Sequence, residues 1–486
     1  MIDPRLLEHD YDEERLGFGQ PRAPHAEPRR RPPLALACLA LAAVGLLALG
    51  VQIAGGPLAG TWPGFAASYG LLALGGAGFF WAALKDTAPG IKHDGLFFGG
   101  LASRGWLGWA AGVAFTAFYV VVYWFPGWLG DHGASAPTGM VRTVDSPARA
   151  LTGLQASRWF LYGVLYTLAV SVFSVRMLMK YRHSRYHRVR TLAVFGSQLF
   201  LAWLLPNLLI RWKEPYMEFN GVWPLKQDYL WPDKVGQFVS AGAVGKFLLF
   251  WALAAVLIAT PILTYRYGKR WYCSWVCGCG GLAETLGDPW RQLSSKSTDA
   301  WKIERVLVHS VLIVVLAATA VIWIDHELGW LGSWSSRLKQ SYGFYIGAIF
   351  SGVVGVGFYP LLGSRVWCRF GCPQAAILGL IQRLFSRFRI TTNGGQCMSC
   401  GNCSTYCEMG IDVRAYAERS ENIVRASCVG CGVCAAVCPR GVLKLEQGPP
   451  ADRYEGAGSP GKSFLSGLQE ADIYGYAAWR APEQPE

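Results

Sequence analysis

Charged residues are scarce in this chain of 486 residues. Asp, Glu, Lys and Arg make up 16% of the sequence, whereas a soluble domain usually carries about 25%. The shortfall falls in apolar runs of about 20 residues, the length that crosses the hydrocarbon core of a bilayer. This composition excludes an ordinary soluble enzyme and an intrinsically disordered protein.

Cysteine is nearly absent from the first half of the chain, where Cys38 stands alone. Thirteen of the 14 cysteines lie after position 270, and eight of those fall between 397 and 438. A small secreted domain stapled by disulfides is excluded by this distribution. Such clustering predicts metal ligands in a reducing compartment.

Histidine is also scarce, with eight in the chain, and His309 alone falls inside a predicted span. Haem b in its common form needs two facing histidines, so no haem is predicted. His183 and His187 lie four residues apart, a spacing that can bind a metal on one helix face. The cations around them favour a solvated or lipid-facing basic loop.

Eight segments are long and apolar enough to span a membrane, which predicts an all-α polytopic bundle. The predicted spans are 34–54, 65–84, 105–126, 159–179, 192–210, 246–265, 306–324 and 343–363. They form a transmembrane region over 34–365, between a polar tail (1–33) and a flexible tail (448–486). Arg176 and Glu284 lie near span ends, where a quinone head could bind, but snorkelling to the interface accounts for both.

The positions of Lys and Arg predict the orientation. With the N-terminus in the cytoplasm, the inner segments hold 25 of these cations and the outer loops hold 10. Positive loops stay inside during insertion, so both termini are expected in the cytoplasm and the spans in the cytoplasmic (inner) membrane. The net charge of +13 therefore reflects contact with the lipid bilayer, and nucleic acid is not a predicted partner.

Two cysteine runs near the C-terminus share the spacing C-x2-C-x2-C-x3-C, at 397–407 and 428–438. In bacterial ferredoxins with two clusters, three cysteines of each run bind one [4Fe–4S] cluster and the fourth binds the other. The predicted ligands of cluster I are Cys397, Cys400, Cys403 and Cys438. The predicted ligands of cluster II are Cys428, Cys431, Cys434 and Cys407.

Zinc is the alternative occupant, but zinc sites usually use pairs of cysteines, which two four-cysteine runs fit poorly. Glu408 stands where a proline often follows the fourth cysteine, and its charge could lower the potential of cluster II. Clusters whose irons all carry thiolates transfer single electrons and do no bond chemistry. Residues 393–447 are therefore predicted to be a small α+β domain that conducts electrons.

Residues 366–392 are predicted to connect the bundle to this domain. Within them, 374–390 read as a basic amphipathic helix whose apolar face includes Leu380, Leu384 and Phe388, with Arg383 at its edge. Such a helix suits the cytoplasmic headgroup region. A plain surface helix packed on the domain is the alternative.

Two further motifs end the sixth and eighth predicted spans, RWYCSWVC at 270–277 and RVWCRFGC at 365–372. Both read R-x-aromatic-C-x-aromatic-x-C or a close variant, which indicates an internal repeat. If the two ends are adjacent, Cys273, Cys277, Cys368 and Cys372 could bind one metal or cluster. Structural thiols at a tight turn are the alternative, and Cys279 is either a fifth ligand or, as we favour, a bystander.

These motifs resemble the membrane-bound polyferredoxins, which include quinol-dehydrogenase subunits of periplasmic nitrate reductases, nitrous-oxide-reductase maturation proteins and an oxidase-assembly accessory protein. The resemblance covers about 245–445. It implies several spans, two C-x3-C-P motifs at the cytoplasmic face and a C-terminal ferredoxin domain with two clusters. This chain departs from the pattern at Gly278, which replaces the first proline.

The expected function is electron transfer between a cytoplasmic partner and the membrane, either to a quinone pool or to a membrane or extracytoplasmic redox partner. The chain would be an electron-transfer subunit, which could serve a quinol/quinone oxidoreductase. A metal-handling or assembly factor, with membrane-face thiols that reduce copper, is the alternative. A redox sensor or transporter is less well supported, because no output domain is evident.

Overall fold

The computed structural model describes residues 32–87 and 105–448. Nearly all of both predicted tails, and most of the predicted inner segment 85–104, lie outside the described residues. Within them the predicted all-α bundle with a small C-terminal α+β domain is confirmed. Seven helices are long and apolar enough to cross a membrane: Pro33–Ile53, Trp62–Leu84, Trp106–Trp124, Arg158–Lys180, Arg185–Arg211, Gly242–Tyr267 and Thr298–Leu328.

The eighth predicted span differs from its expected bounds. A helix forms at Ser333–Tyr342 and continues as a π-helix over Gly343–Val354, after which the chain turns into the short helix Tyr359–Leu362. We call the continuous segment 333–354 the return helix. It starts earlier than predicted, in a polar segment, and it ends before Gly355. There Trp367 approaches so closely that a Cβ would lie 2.8 Å from its side chain.

Proline explains two irregular turns in the long helices. The helix Arg185–Arg211 widens into a π-helix over Ser197–Leu204, just before Pro206. The helix Gly242–Tyr267 does the same over Ala255–Ala259, just before Pro261. A proline ring blocks the usual backbone hydrogen bond, and a widened turn accommodates that loss.

Glycines bring the first two long helices together. A Cβ at Gly75 would lie 2.5 Å from the backbone nitrogen of Ala42, and a Cβ at Gly45 would lie 2.9 Å from Leu72. Contact this close needs glycine, because any larger residue would force the backbones apart. The thiol of Cys38 packs in the same seam, against Gly78.

Short helices fill the segments between the long ones. The described loops contain Gly139–Arg142, Asp145–Thr152 and Pro232–Ser240. After the sixth long helix come Arg270–Cys273 and Gly278–Glu284, and after the return helix comes Val366–Phe370. The connector helix, Pro373–Phe385, then leads into the C-terminal domain.

A two-stranded antiparallel sheet frames the C-terminal domain. Strand β1 (Phe388–Thr392) pairs with strand β2 (Leu443–Gln447), with Ile390 opposite Leu445. Between them lie the helices Asn402–Thr405, Val413–Glu418 and Val433–Ala436. The helix predicted over 374–390 is therefore wrong in its last turn, because Phe388 is buried in the sheet and belongs to the core of the domain.

Candidate metal centre

Each cysteine run of the C-terminal domain forms the same turn. Gly401 and Gly432 adopt positive φ angles of 76° and 80° and begin the short helices that carry Cys403 and Cys434. Only glycine adopts this left-handed conformation at little cost, so the turn lets three thiols converge within seven residues. The two runs thus have matched backbones, as their equal spacing predicts.

The eight thiols fall into two groups of four. Burial raises the pKa of Cys403 to about 12, and the next contributions come from Cys438, Cys400 and Cys397. Burial also raises the pKa of Cys434, followed by the effects of Cys431, Cys428 and Cys407, with the last contribution from Cys403 of the other group. The groups interleave along the chain, so the fourth cysteine of each run lies beside the first three of the other.

These thiols fit iron–sulfur clusters better than zinc. Four thiolates bound to zinc at about 2.3 Å would lie about 3.8 Å apart. Among the described residues, no three cysteine sulfurs lie within 4.8 Å of one another. A cubane is several ångströms across and spaces its ligands more widely. Its positive irons would also offset the cost of four buried thiolates, since metal binding removes their protons.

The two C-x3-C motifs fold as equivalent turns. In the first, Cys277 donates its backbone N–H to Tyr272 at 2.8 Å, and in the second Cys372 donates to Trp367 at 2.9 Å. Each motif begins with a short helix and is followed by a helix that starts after its second cysteine. The first short helix ends at Cys273 and the second at Phe370, each before the second cysteine of its motif, so the sulfurs are not one turn apart on a continuous helix.

The structure brings the thiols of both motifs together. Burial raises the pKa of Cys372, and the next contributions come from Cys368, Cys277 and Cys273. Cys279 belongs to the same group: a hydrogen bond from its thiol lowers the pKa of Cys277 to about 7. Cys279 also packs against Cys368 and Cys372, so its position is compatible both with the favoured prediction of a bystander and with that of a fifth ligand.

The second cysteine loop of the C-terminal domain docks directly on the first C-x3-C motif and its neighbours. Its backbone carbonyls accept hydrogen bonds from side chains of the helical part. These pairs are Lys269 with Ala426 (3.1 Å), Gln382 with Cys428 (2.8 Å), Ser274 with Val429 (2.8 Å), Tyr186 with Gly430 (2.8 Å), and Arg190 with Cys431. Cys273, Cys277, Cys428 and Cys434 share one buried core.

A buried ionic network joins the same parts. Arg365 forms ion pairs with Glu284 at 2.8 Å and with Glu408 at 3.1 Å, and all three side chains are almost completely buried. Arg291 pairs with Glu284 at 3.1 Å and with Asp288 at 2.8 Å. Further pairs to the same carboxylates come from Arg190, Arg176 and Lys180.

The network corrects several expectations. Arg176 and Glu284 do not snorkel to the interface, because both are buried in ion pairs. Burial favours protonation of Glu284, but Arg190, Arg291 and Arg365 outweigh it and lower its pKa to about 2. Burial raises the pKa of Glu408 to about 7. Although Glu284, Glu408 and Cys431 could geometrically hold an ion, arginines already bind both carboxylates.

One member of the histidine pair lies inside the protein. His187 is buried, its Nδ1 lies 2.8 Å from Ser184 Oγ, and its ring stacks on Tyr181 at 4.8 Å. The predicted solvated basic loop is therefore wrong at His187. His309 Nδ1 donates to the carbonyl of Arg305 at 2.6 Å, on its own helix.

Two family models match the chain. A 4Fe-4S dicluster domain matches residues 396–443. A 4Fe-4S binding domain matches twice, over 248–297 and 344–391. Each of the two latter matches contains one C-x3-C motif, as expected for an internal repeat.

Two curated proteins are similar to parts of the chain. The YccM protein of Escherichia coli (strain K12), named for a proposed role in electron transport, is 24% identical over 33% of this chain and 48% of its own length. The methylamine utilization ferredoxin-type protein MauN of Methylobacillus flagellatus is 27% identical over 31% of this chain and 53% of its own length. The chain thus spans about half the length of these relatives.

No solved structure is significantly similar to the chain. The expected resemblance to polyferredoxins is nevertheless confirmed, because the 4Fe-4S matches cover both the C-terminal runs and the two C-x3-C motifs. With seven helices of membrane length among the described residues, the chain combines candidate membrane spans with 4Fe-4S domains of the ferredoxin type.

Proposed function

We propose that this protein carries electrons between a cytoplasmic partner and the membrane through two [4Fe–4S] clusters in its C-terminal domain. Cluster I would be held by Cys397, Cys400, Cys403 and Cys438, and cluster II by Cys428, Cys431, Cys434 and Cys407. The interleaved groups of thiols support this assignment. Four thiolates saturate each cubane, so its chemistry when bound is single-electron transfer.

We further propose a third redox centre at Cys273, Cys277, Cys368 and Cys372. The observation that carries the proposal is the docking of the second cysteine loop on the first C-x3-C motif, where Ser274 binds the carbonyl of Val429 at 2.8 Å. Cluster II would thus lie between cluster I and the third centre. The repeated 4Fe-4S match over both motifs supports a cluster there.

Cluster I would be the entry or exit for a soluble partner. Its four cysteines line a pocket at the surface of the domain together with Arg414 and Arg440, and Met398 beside it is 41% exposed. A patch of this kind favours a partner with acidic residues around its own redox centre, because opposite charges speed encounter. The cationic inner segments support a cytoplasmic location for this surface and insertion in the inner membrane.

On the membrane side, the quinone pool or a membrane or extracytoplasmic redox protein would exchange electrons with the third centre. A metal-handling role, such as copper reduction during assembly of a respiratory enzyme, is the second candidate. It is favoured by one observation, the fifth thiol of Cys279 beside Cys277, because thiolate-rich sites select Cu(I).

The experiment is anaerobic purification followed by iron analysis, EPR during stepwise reduction, and reoxidation by a water-soluble quinone analogue. Two cubanes require about eight irons per chain, and a third cubane raises this to about twelve. Cys368→Ser should slow reoxidation by the quinone analogue and leave the EPR signals of clusters I and II unchanged. Cys38→Ser, which changes a half-buried thiol on the first long helix, outside both motifs, is the matched control.

Two results would contradict the proposal. An iron-free protein would remove the clusters altogether. An unchanged rate of reoxidation in Cys368→Ser would show that the C-x3-C thiols have only a structural role. Bound copper with eight irons and no response to the quinone analogue would instead favour the metal-handling role.

A further inference from the structure

A large cavity lies beside the docked C-terminal domain. It has a volume of about 590 Å³ and is bounded by the start of the helix Thr298–Leu328, the connector helix and the segment 409–427. This volume falls within the range of roughly 300–1,000 Å³ that is typical of small-molecule sites. Cys368 forms part of its wall. The proposed electron path makes no use of this cavity.

The lining of the cavity is strongly cationic. Five basic side chains contribute to it, against the carboxylates of Glu304 and Glu421; the basic residues are Lys269, Arg305, Arg369, Arg383 and Arg425. Glu304 is already paired with Arg369 at 2.7 Å. Arg305 and Arg383 are exposed. The cavity therefore favours an anionic ligand.

The length of one wall places the cavity at the level of the lipid headgroups. The helix Thr298–Leu328 has 31 residues and is about 47 Å long at 1.5 Å per residue. The hydrocarbon core is about 30 Å thick, so about ten residues project beyond it. Both Lys and Arg residues of this helix, Lys302 and Arg305, lie near its start, where Arg305 and the aromatic Trp301 line the cavity.

The two helices that bound the cavity carry exposed apolar side chains, which we call the apolar rim. On the connector helix, Leu380, Leu384 and Phe385 are exposed, and on the facing long helix Val306 is 66% exposed. The opposite side of the connector helix, with Leu378 and Gln382, is buried against the rest of the protein. The rim would be an unfavourable surface in water, but it suits acyl chains.

We propose that this cavity binds the phosphate headgroup of an anionic phospholipid, whose acyl chains lie along the apolar rim. Basic pockets between helices on the cytoplasmic side are known to suit anionic headgroups. Inorganic phosphate would leave the rim uncovered, and a neutral quinone would leave the cations without a counter-charge. The bound lipid would hold the connector helix and the C-terminal domain against the bilayer beside Cys368.

The test compares lipid binding by full-length protein, purified with its clusters, using native mass spectrometry. Phosphatidylglycerol should bind and phosphatidylcholine should not. The double variant Arg305→Gln/Arg383→Gln should lose roughly thirtyfold in affinity for phosphatidylglycerol, since each cation near an anionic surface contributes about a factor of five. The control Arg185→Gln/Arg188→Gln removes two exposed cations near the same membrane face, outside the cavity, and should bind normally.

Several outcomes would overturn this proposal. These are equal binding of phosphatidylcholine, equal losses in both double variants, or displacement of the lipid by millimolar inorganic phosphate or by a quinone analogue. If the variant loses its clusters, the wild-type protein is labelled with a photoactivatable phosphatidylglycerol instead. Labelling must then map to Val306 or to the connector helix, and labelling elsewhere contradicts the proposal.

Discussion

Arg365 contacts both C-x3-C motifs and the C-terminal domain at once. Its guanidinium donates to the carbonyl of Cys273 at 3.0 Å and to the sulfur of Cys368 at 3.6 Å. The same group pairs with Glu284 and Glu408. The planar fork of arginine matches several acceptors in fixed directions, which the point charge of lysine does not. Arg365 is therefore suited to position the thiols and to balance their charge.

We predict that Arg365→Gln lowers the free energy of unfolding by about 3 kcal/mol, because it removes one cationic partner from each of two buried carboxylates, Glu284 and Glu408. It should also make the reduction potential of the third centre more negative, since a nearby positive charge stabilises the reduced state. Redox titration followed by EPR and thermal unfolding measure the two effects. Arg365→Lys keeps the positive charge and should shift the reduction potential less than Arg365→Gln does. If Arg365 had only a structural role, both variants would change the stability and leave the potential unchanged.

At the scale of single residues, the sequence predicts what local spacing encodes. The cysteine groups and the glycines that turn their loops follow from the runs themselves. The ionic network could not be predicted this way, because Arg176 and Asp288 lie 112 residues apart and meet only in the folded chain. Each of those charges, taken alone near a span end, has the pattern of a snorkelling side chain.

At the scale of elements, the repeat of the two motif turns was readable from aligned aromatic and cysteine positions. Strand β1 was not, because the apolar positions of 374–390 fit a helical period up to Phe388. The strand forms there because it pairs with β2, and β2 lies more than 50 residues further along the chain, beyond the reach of a local pattern. A strand of five residues carries too little periodicity to override a preceding helix.

The matched cysteine turns make a specific prediction. Gly401→Ala and Gly432→Ala each place a Cβ at positive φ, which costs about 1–2 kcal/mol. At Gly432 the new Cβ would also lie 2.9 Å from the ring of Tyr186, whereas at Gly401 nothing lies within 4 Å. Gly432→Ala should therefore lose its clusters faster when challenged with a chelator, as followed by visible absorbance. Equal rates in the two variants would show that the contact with Tyr186 contributes nothing.

At the scale of the whole molecule, the network anchored on Asp288 holds the helix Arg158–Lys180 to the docked domain. Burial opposes ionisation of Asp288, but Lys180, Arg291 and Arg176 outweigh it and lower its pKa well below the usual range. A lowered pKa means that the folded state binds this proton more weakly than the unfolded state. The stabilisation is thus present above the unfolded pKa of about 3.9 and is lost as the pH falls below it.

We predict that Asp288→Asn lowers the free energy of unfolding at neutral pH by about 3–5 kcal/mol, because three buried cations lose their counter-charge. The exposed pair of Asp233 with Lys339 supplies the control Asp233→Asn, which should cost less than about 1 kcal/mol. Thermal unfolding in detergent between pH 7 and pH 3 measures both. The wild-type protein should lose more stability between pH 7 and pH 3 than Asp288→Asn does. Equal losses in the two proteins would contradict the role assigned to Asp288.

The docking of the C-terminal domain supports the proposed order of the centres. The loop 426–431 contacts the C-x3-C region through several hydrogen bonds, while the pocket of cluster I opens at the surface. Removing cluster II should therefore interrupt the path, and removing cluster I should only remove the soluble entry point. Cys431→Ser should retain the EPR signal of cluster I but lose nearly all reoxidation by a quinone analogue. Cys400→Ser should lose the EPR signal of cluster I, but the quinone analogue should still reoxidise its chemically reduced cluster II at close to the wild-type rate. The reverse pattern would place cluster I next to the membrane.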